Sequence, residues 1–220
     1  MEKNQVLEQI QEVGLLPVLR AESSQQAVVI ANAIVAGGIS VLEVTMTVPG
    51  ALDVIRTLVG EYGERLLIGA GSVLDPETAR ACMLAGAQFV VSPALNLGTI
   101  AICRRYSVAV MPGALTPTEI LSAWEAGADV VKVFPCSAVG GAKYLSALHG
   151  PLPQLKLIPT GGVSLATAEE FLRAGAYALG VGSDLVDIRA VAQGNPEIIT
   201  ETARKYMAIV RKQRSAGVGI

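Results

Sequence analysis

VLEVTM (41–46), ALDVIRTLVGEY (51–62) and LLIGAGS (66–72) follow one another with short turns between them. The first and third are apolar runs of strand length. The middle one carries apolar residues at helical spacing. A strand, a helix and a second strand in about thirty residues predict a βαβ unit with parallel strands.

The same rhythm runs through the chain. Further strands are predicted at 15–20, 89–93, 109–113, 130–135, 156–161 and 178–182. Helices are predicted at 23–36, 51–62, 76–85, 97–106, 117–126, 142–148, 165–174 and 196–214, with a short helix at 2–13 before the first strand. Asp75-Pro76 and Thr116-Pro117 place a capping side chain before a proline suited to the first helical turn. Ala36-Gly37, Ala85-Gly86, Ala126-Gly127 and Ala174-Gly175 place a glycine where a left-handed C-cap is expected. Eight βα units predict an α/β chain folded as one (β/α)8 TIM barrel domain over residues 1–220, with a short N-terminal helix. An open doubly wound sheet is the alternative, but no glycine-rich dinucleotide fingerprint follows the first strand.

Composition narrows the function. Hydrophobic residues make up 51% of the 220-residue chain and charged residues 16%, enough for a sizeable core. A net charge of −2 and 4% aromatics do not suit nucleic-acid binding. No apolar run is long enough for a membrane span, and the polar start Met1-Glu2-Lys3-Asn4-Gln5 does not resemble a secretory signal. Cys82, Cys103 and Cys136 form no disulfide framework or metal pair, so a cytoplasmic location is expected. With His149 as the sole histidine, a zinc held by several histidines is not expected, and neither a metal nor another cofactor is required.

Lys132 lies in Val130-Val131-Lys132-Val133-Phe134-Pro135. Lysine is rarely buried without compensation. Burial disfavours the charged amine, and an uncharged amine can form a Schiff base with a carbonyl. The alternative is a side chain that snorkels to solvent. Glu43, on the same strand face as Val41 and Thr45, reads either as a general acid/base or as an ion-pair partner for Lys132. Barrel sites lie at strand C-terminal ends. The polar residues there are Arg20, Glu43, Thr45, Thr47, Ser72, Ser92, Lys132, Thr160 and Ser183. Arg20 reads as a bidentate carboxylate clamp or as an exposed strand-end arginine.

Two glycine-rich turns, Pro159-Thr160-Gly161-Gly162-Val163 and Gly180-Val181-Gly182-Ser183-Asp184, follow the seventh and eighth strands. Their amides suit an anion, and these two loops are the recurrent phosphate site of such barrels. Asp184 is expected to cap or to face outward. Cys136 and Trp124 read as a bystander and as helix packing, and His149 as a helix-end surface residue.

These residues carry a resemblance. Glu43-Val44-Thr45, Gly69-Ala70-Gly71-Ser72-Val73, Val91-Ser92-Pro93, Met111-Pro112-Gly113, Val131-Lys132-Val133-Phe134-Pro135 and Pro159-Thr160-Gly161-Gly162 resemble, in order, the class I 2-keto-3-deoxy-6-phosphogluconate (KDPG) aldolases. Relatives of that family act on 2-keto-3-deoxy-6-phosphogalactonate or 4-hydroxy-2-oxoglutarate. The resemblance implies a homotrimer and a small-molecule substrate, cleaved to pyruvate and glyceraldehyde 3-phosphate. It implies Lys132 as the Schiff-base lysine and Glu43 as the acid/base. Thr160, Gly161, Gly162, Gly182 and Ser183 would hold phosphate, and Arg20, Thr45, Ser72, Pro93 and Phe134 would contact the rest of the substrate. Some members carry a carboxylate-binding arginine where this chain has Thr47; others end the first strand with an arginine, as Arg20 does here. A non-catalytic trimeric scaffold is the alternative of another class, with Met207, Ile209 and Val210 serving an interface or packing the last helix.

Overall fold

The computed structural model describes residues 1–215 and Gly217. Its strands are β1 (Leu15–Leu19), β2 (Val41–Thr45), β3 (Leu67–Gly71), β4 (Phe89–Val91), β5 (Ala109–Met111), β6 (Gly113–Ala114), β7 (Val131–Val133), β8 (Leu157–Pro159) and β9 (Leu179–Val181). All pairings are parallel. A six-stranded sheet runs β5-β4-β3-β2-β1-β9, and a three-stranded one runs β6-β7-β8. The parallel sheet forms a half-barrel, and every strand residue is buried. Strands covered on both faces read as unbroken apolar runs, which is why polar residues inside them stand out.

The expected fifth strand at 109–113 is instead two, β5 and β6, separated by Pro112. Proline has no N–H for the ladder. Its carbonyl still accepts the N–H of Lys132 at 2.9 Å, so the polypeptide keeps its course between β4 and β7. The other strands match expectation with ends shortened by a residue or two.

The helices are α1 (Lys3–Val13), α2 (Ser24–Ala36), α3 (Ala51–Tyr62), α4 (Pro76–Leu84), α5 (Leu97–Arg105), α6 (Pro117–Glu125), α7 (Ala142–His149), α8 (Ala168–Arg173), α9 (Ile188–Ala192) and α10 (Glu197–Ser215). Asp75 and Thr116 cap α4 and α6, each with proline in the first turn. Gly86, Gly127 and Gly175 adopt the left-handed conformation expected of them. After α2 that role falls to Gly38 at φ 91°, while Gly37 stays right-handed. The helix expected at 165–174 starts three residues late, because Ser164 N–H donates to Thr167 Oγ1 in a local turn. Helix α9 was not expected; Asp187 caps it by accepting the N–H groups of Arg189 and Ala190.

Helix α10 lies against α2 and α8. Val210 is buried in the core, and Met207 and Ile209 are partly buried against it. All three residues help to pack the last helix, the second of the two roles expected of them. Among the described residues no helix is long and apolar enough to cross a membrane.

Candidate active site

Lys132 is central to β7 and only 6% exposed; Glu43 is central to β2 and 1% exposed. They belong to different sheets, yet Lys132 Nζ lies 3.7 Å from Glu43 Oε1. The two sheets therefore face a common interior. The separation suits an ion pair but exceeds hydrogen-bond reach. Among the described residues neither carboxyl oxygen of Glu43 has a hydrogen-bond partner. Burial pushes the Glu43 carboxyl above the ordinary carboxylate range, opposed by the positive charges of Lys132 and Arg20.

Room for that carboxyl comes from β3. Gly71 pairs with Thr45 in the ladder, and a β-carbon on Gly71 would lie 1.9 Å from Glu43 Oε1. Gly71 was visible only as part of a motif. Its reason is a contact across strands that no local pattern reveals.

Above Lys132 opens a cleft of about 680 Å³. Of the predicted site residues it brings together Arg20, Ser72, Pro93, Lys132, Phe134, Thr160, Gly161, Gly162, Gly182 and Ser183. The Phe134 ring centre lies 5.5 Å from Lys132 Nζ, close enough for a cation–π contact. Ser72 is held at φ 55°, a left-handed conformation uncommon outside glycine. Pro93 comes so close to β6 that only a glycine fits at 113, where a β-carbon would meet the Pro93 carbonyl carbon at 2.2 Å.

Three candidates lie elsewhere. Thr45 is fully buried and outside the cleft lining. Its hydroxyl donates to the Leu19 carbonyl at 2.9 Å and touches Thr47 Oγ1 at 2.7 Å. Thr45 thereby fixes the chain just before Arg20. Ser92 is also buried, its hydroxyl donating to the Ala94 carbonyl. Glu43 does not line the cleft; it lies beneath, in reach of the lysine.

The glycine turns lie side by side. Thr160 bridges to Gly180, and its Oγ1 occupies the space where a Gly180 β-carbon would sit, 2.1 Å away. Gly161 and Gly162 have φ of 85° and 79°. A β-carbon on Gly162 would lie 2.3 Å from Ser137 Cβ. Among the described residues the N–H groups of Gly162 and Ser183 donate to no protein acceptor. Free amides of this kind suit an anion.

Asp184 caps, as expected. Its Oδ2 accepts the Leu165 N–H and the Tyr206 hydroxyl, yet the residue also lines the cleft. Cys136 is buried, its thiol pushed up to about 11 by desolvation, in keeping with a bystander. Trp124 packs against the core. His149 ends α7 half-buried, its Nε2 without a partner among the described residues. No group of three or more metal-ligating side chains occurs among the described residues.

The described geometry has counterparts. The family model for KDPG and KHG aldolase matches residues 6–202. The 2-dehydro-3-deoxy-phosphogluconate aldolase of Treponema pallidum is 35% identical, covering 93% of this chain and 97% of its own. The KHG/KDPG aldolase of Escherichia coli K12 is 36% identical, covering 87% and 89%. The crystal structure of the KDPG aldolase of Legionella pneumophila, with pyruvate captured as a covalent carbinolamine intermediate, superposes with a TM-score of 0.84 at 31% identity, covering 93% and 97%.

Proposed function

The chain belongs to the KDPG and KHG aldolase family, and from that premise we propose that it is a Schiff-base aldolase cleaving 2-keto-3-deoxy-6-phosphogluconate to pyruvate and glyceraldehyde 3-phosphate, with Lys132 as nucleophile and Glu43 as acid/base. One observation carries the residue assignment: a buried lysine at the floor of a cleft, 3.7 Å from a buried carboxyl that has no hydrogen-bond partner among the described residues.

Lys132 attacks the C2 ketone through its free electron pair and forms a carbinolamine. Loss of hydroxide with one proton, as water, leaves an iminium ion. Glu43, whose burial favours its protonated form, is suited to supply that proton and then to act as base. Removal of the C4 hydroxyl proton forms the aldehyde as the C3–C4 bond breaks. The bonding electrons pass into the iminium and give an enamine. Protonation at C3 and addition of water release pyruvate and restore the amine. The covalent link divides one hard step into easier ones.

In the same reading Arg20 binds the substrate carboxylate. It is exposed, lines the cleft and makes no ion pair with a protein carboxylate among the described residues. Ser72, Pro93 and Phe134 line the pyruvate end. Thr160, Gly161, Gly162, Gly182 and Ser183 bind phosphate, a role supported by the free amides of Gly162 and Ser183 and by the open space beside Gly182.

The architecture in this proposal is one (β/α)8 domain over residues 1–220, closed where Thr160 meets Gly180 and where the Pro112 carbonyl meets Lys132 N–H. The assembly is a cytoplasmic homotrimer. Leu74 and Leu97, each 59% exposed and neighbours through an Asn96–Leu74 hydrogen bond, supply an apolar face for it. Light scattering is expected to give three times the 22.8 kDa chain mass; a monomer would overturn the assembly.

Trapping tests the chemistry. Pyruvate with sodium borohydride is expected to leave a stable adduct on Lys132, located by peptide mass spectrometry. No adduct, or adducts only on exposed lysines such as Lys143 and Lys205, would overturn the assignment.

A further inference from the structure

Asp184 is the acidic residue among those lining the cleft, and it stands in one of the glycine turns. Its carboxylate is held in place. Oδ2 accepts the Leu165 N–H at 3.2 Å and the Tyr206 hydroxyl at 2.5 Å. Leu165 follows the Gly161-Gly162 turn, and Tyr206 is a fully buried residue of α10. One oxygen thus joins both turns to the last helix. Both bonds fall on that oxygen, and Oδ1 accepts from no donor among the described residues.

The charge is therefore fixed between the two turns that carry the free amides of Gly162 and Ser183. The cations lining the cleft, Arg20 and Lys132, come from other strand ends. Neither turn contains a lysine or arginine to offset the carboxylate. Backbone amides attract a phosphate dianion at this end, and Asp184 repels it.

We propose that Asp184 is a specificity-determining residue of this cleft: it braces the two turns through Leu165 and Tyr206 while its charge opposes a phosphate dianion. The balance favours 4-hydroxy-2-oxo acids that end short of the turns more than an uncharged residue here would. The inference rests on reading the turns as the phosphate site. Asp184→Asn isolates the charge, because the amide oxygen can accept both existing bonds.

The test compares retro-aldol kinetics on 2-keto-3-deoxy-6-phosphogluconate and 4-hydroxy-2-oxoglutarate. In Asp184→Asn the ratio of kcat/KM, phosphorylated over unphosphorylated, is expected to rise about three- to tenfold, a typical size for one partly screened charge. The inhibition constant of inorganic phosphate should fall by a similar factor. Asp184→Ser, a second charge-free variant, should shift the ratio in the same direction. Tyr206→Phe keeps the charge and removes a brace, so its Tm should fall while the ratio stays within about twofold of wild type. An unchanged or lower ratio in both Asp184 variants overturns the inference alone. A wild-type protein that cleaves neither substrate and ignores inorganic phosphate overturns the aldolase and phosphate readings, and this inference with them.

Discussion

Glu43 Oε1 lies 3.7 Å from Lys132 Nζ across the interior between two sheets, and the carboxyl has no hydrogen-bond donor of its own among the described residues. The arrangement is poor for stability. A buried carboxyl with an unsatisfied shell is costly, and one distant ion-pair partner offsets little of the cost. It is suited to a group that must both give and take a proton.

Replacing Glu43 separates the two effects. Glu43→Gln is expected to lower kcat by ~10²–10⁴-fold, the usual size of general acid–base catalysis. It should also be more stable at neutral pH. The folded-state pKa of Glu43 is raised, so the unfolded chain ionises first, near the ordinary value of 4.5. Wild-type stability should therefore fall as pH rises from about 4.5 through the raised folded value, and Glu43→Gln should lack that loss. Thermal melts of both proteins at pH 4 and pH 7 check this: the variant's gain must be larger at pH 7.

Lys132→Met should abolish retro-aldol turnover and the borohydride-trapped pyruvate adduct together. Residual adduct at another lysine with turnover intact would place the nucleophile elsewhere.

Gly71→Ala puts a methyl group where the Glu43 carboxyl now lies. The expected outcome is a kcat loss approaching that of Glu43→Gln and a stability loss of ~1–3 kcal/mol from overpacking. Denaturant melts and steady-state kinetics read the two losses separately.

Gly162 and Gly182 should respond differently to alanine. Gly162→Ala forces a left-handed alanine against Ser137, at a cost of ~1–2 kcal/mol or more. Gly182→Ala meets no protein atom within 4 Å and needs no left-handed backbone, so its Tm should be near wild type. Both should raise KM for the phosphorylated substrate. A Gly182→Ala enzyme with unchanged KM would remove that residue from the phosphate site.

Arg20→Ala is expected to raise KM for both substrates. It also removes a positive charge that lowers the Glu43 pKa, so the Glu43 limb of the pH–rate profile should move to higher pH. An unmoved limb would mean that another group controls it.

Much of this was legible in the chain because the two periodicities differ so clearly. Residues 41–46 read as a strand and 51–62 as a helix from side-chain spacing alone. Lys132 and Glu43 were visible because a charge inside an apolar run is costly to bury, although snorkelling or a plain ion pair would also have accounted for them. What spacing conveys is a face, not a partner. It placed Thr45 beside Glu43 but could not show its hydroxyl turned to the Leu19 carbonyl. The reason for Gly71, and the link from Asp184 to Tyr206, depend on contacts between distant segments. Pro112 divided a strand because of a single missing N–H, a local fact outweighed in the reading by its apolar neighbours.

The bond from Tyr206 to Asp184 gives the C-terminal helix an unexpected role for anyone re-engineering this chain. Trimming α10 back past Tyr206, or grafting a fusion partner that shifts it, would loosen the rim of the cleft from a distance and lower folding yield, while the charge that sets substrate preference stays in place. Libraries aimed at new aldehyde acceptors should therefore keep position 206 fixed while they diversify the rim of the cleft.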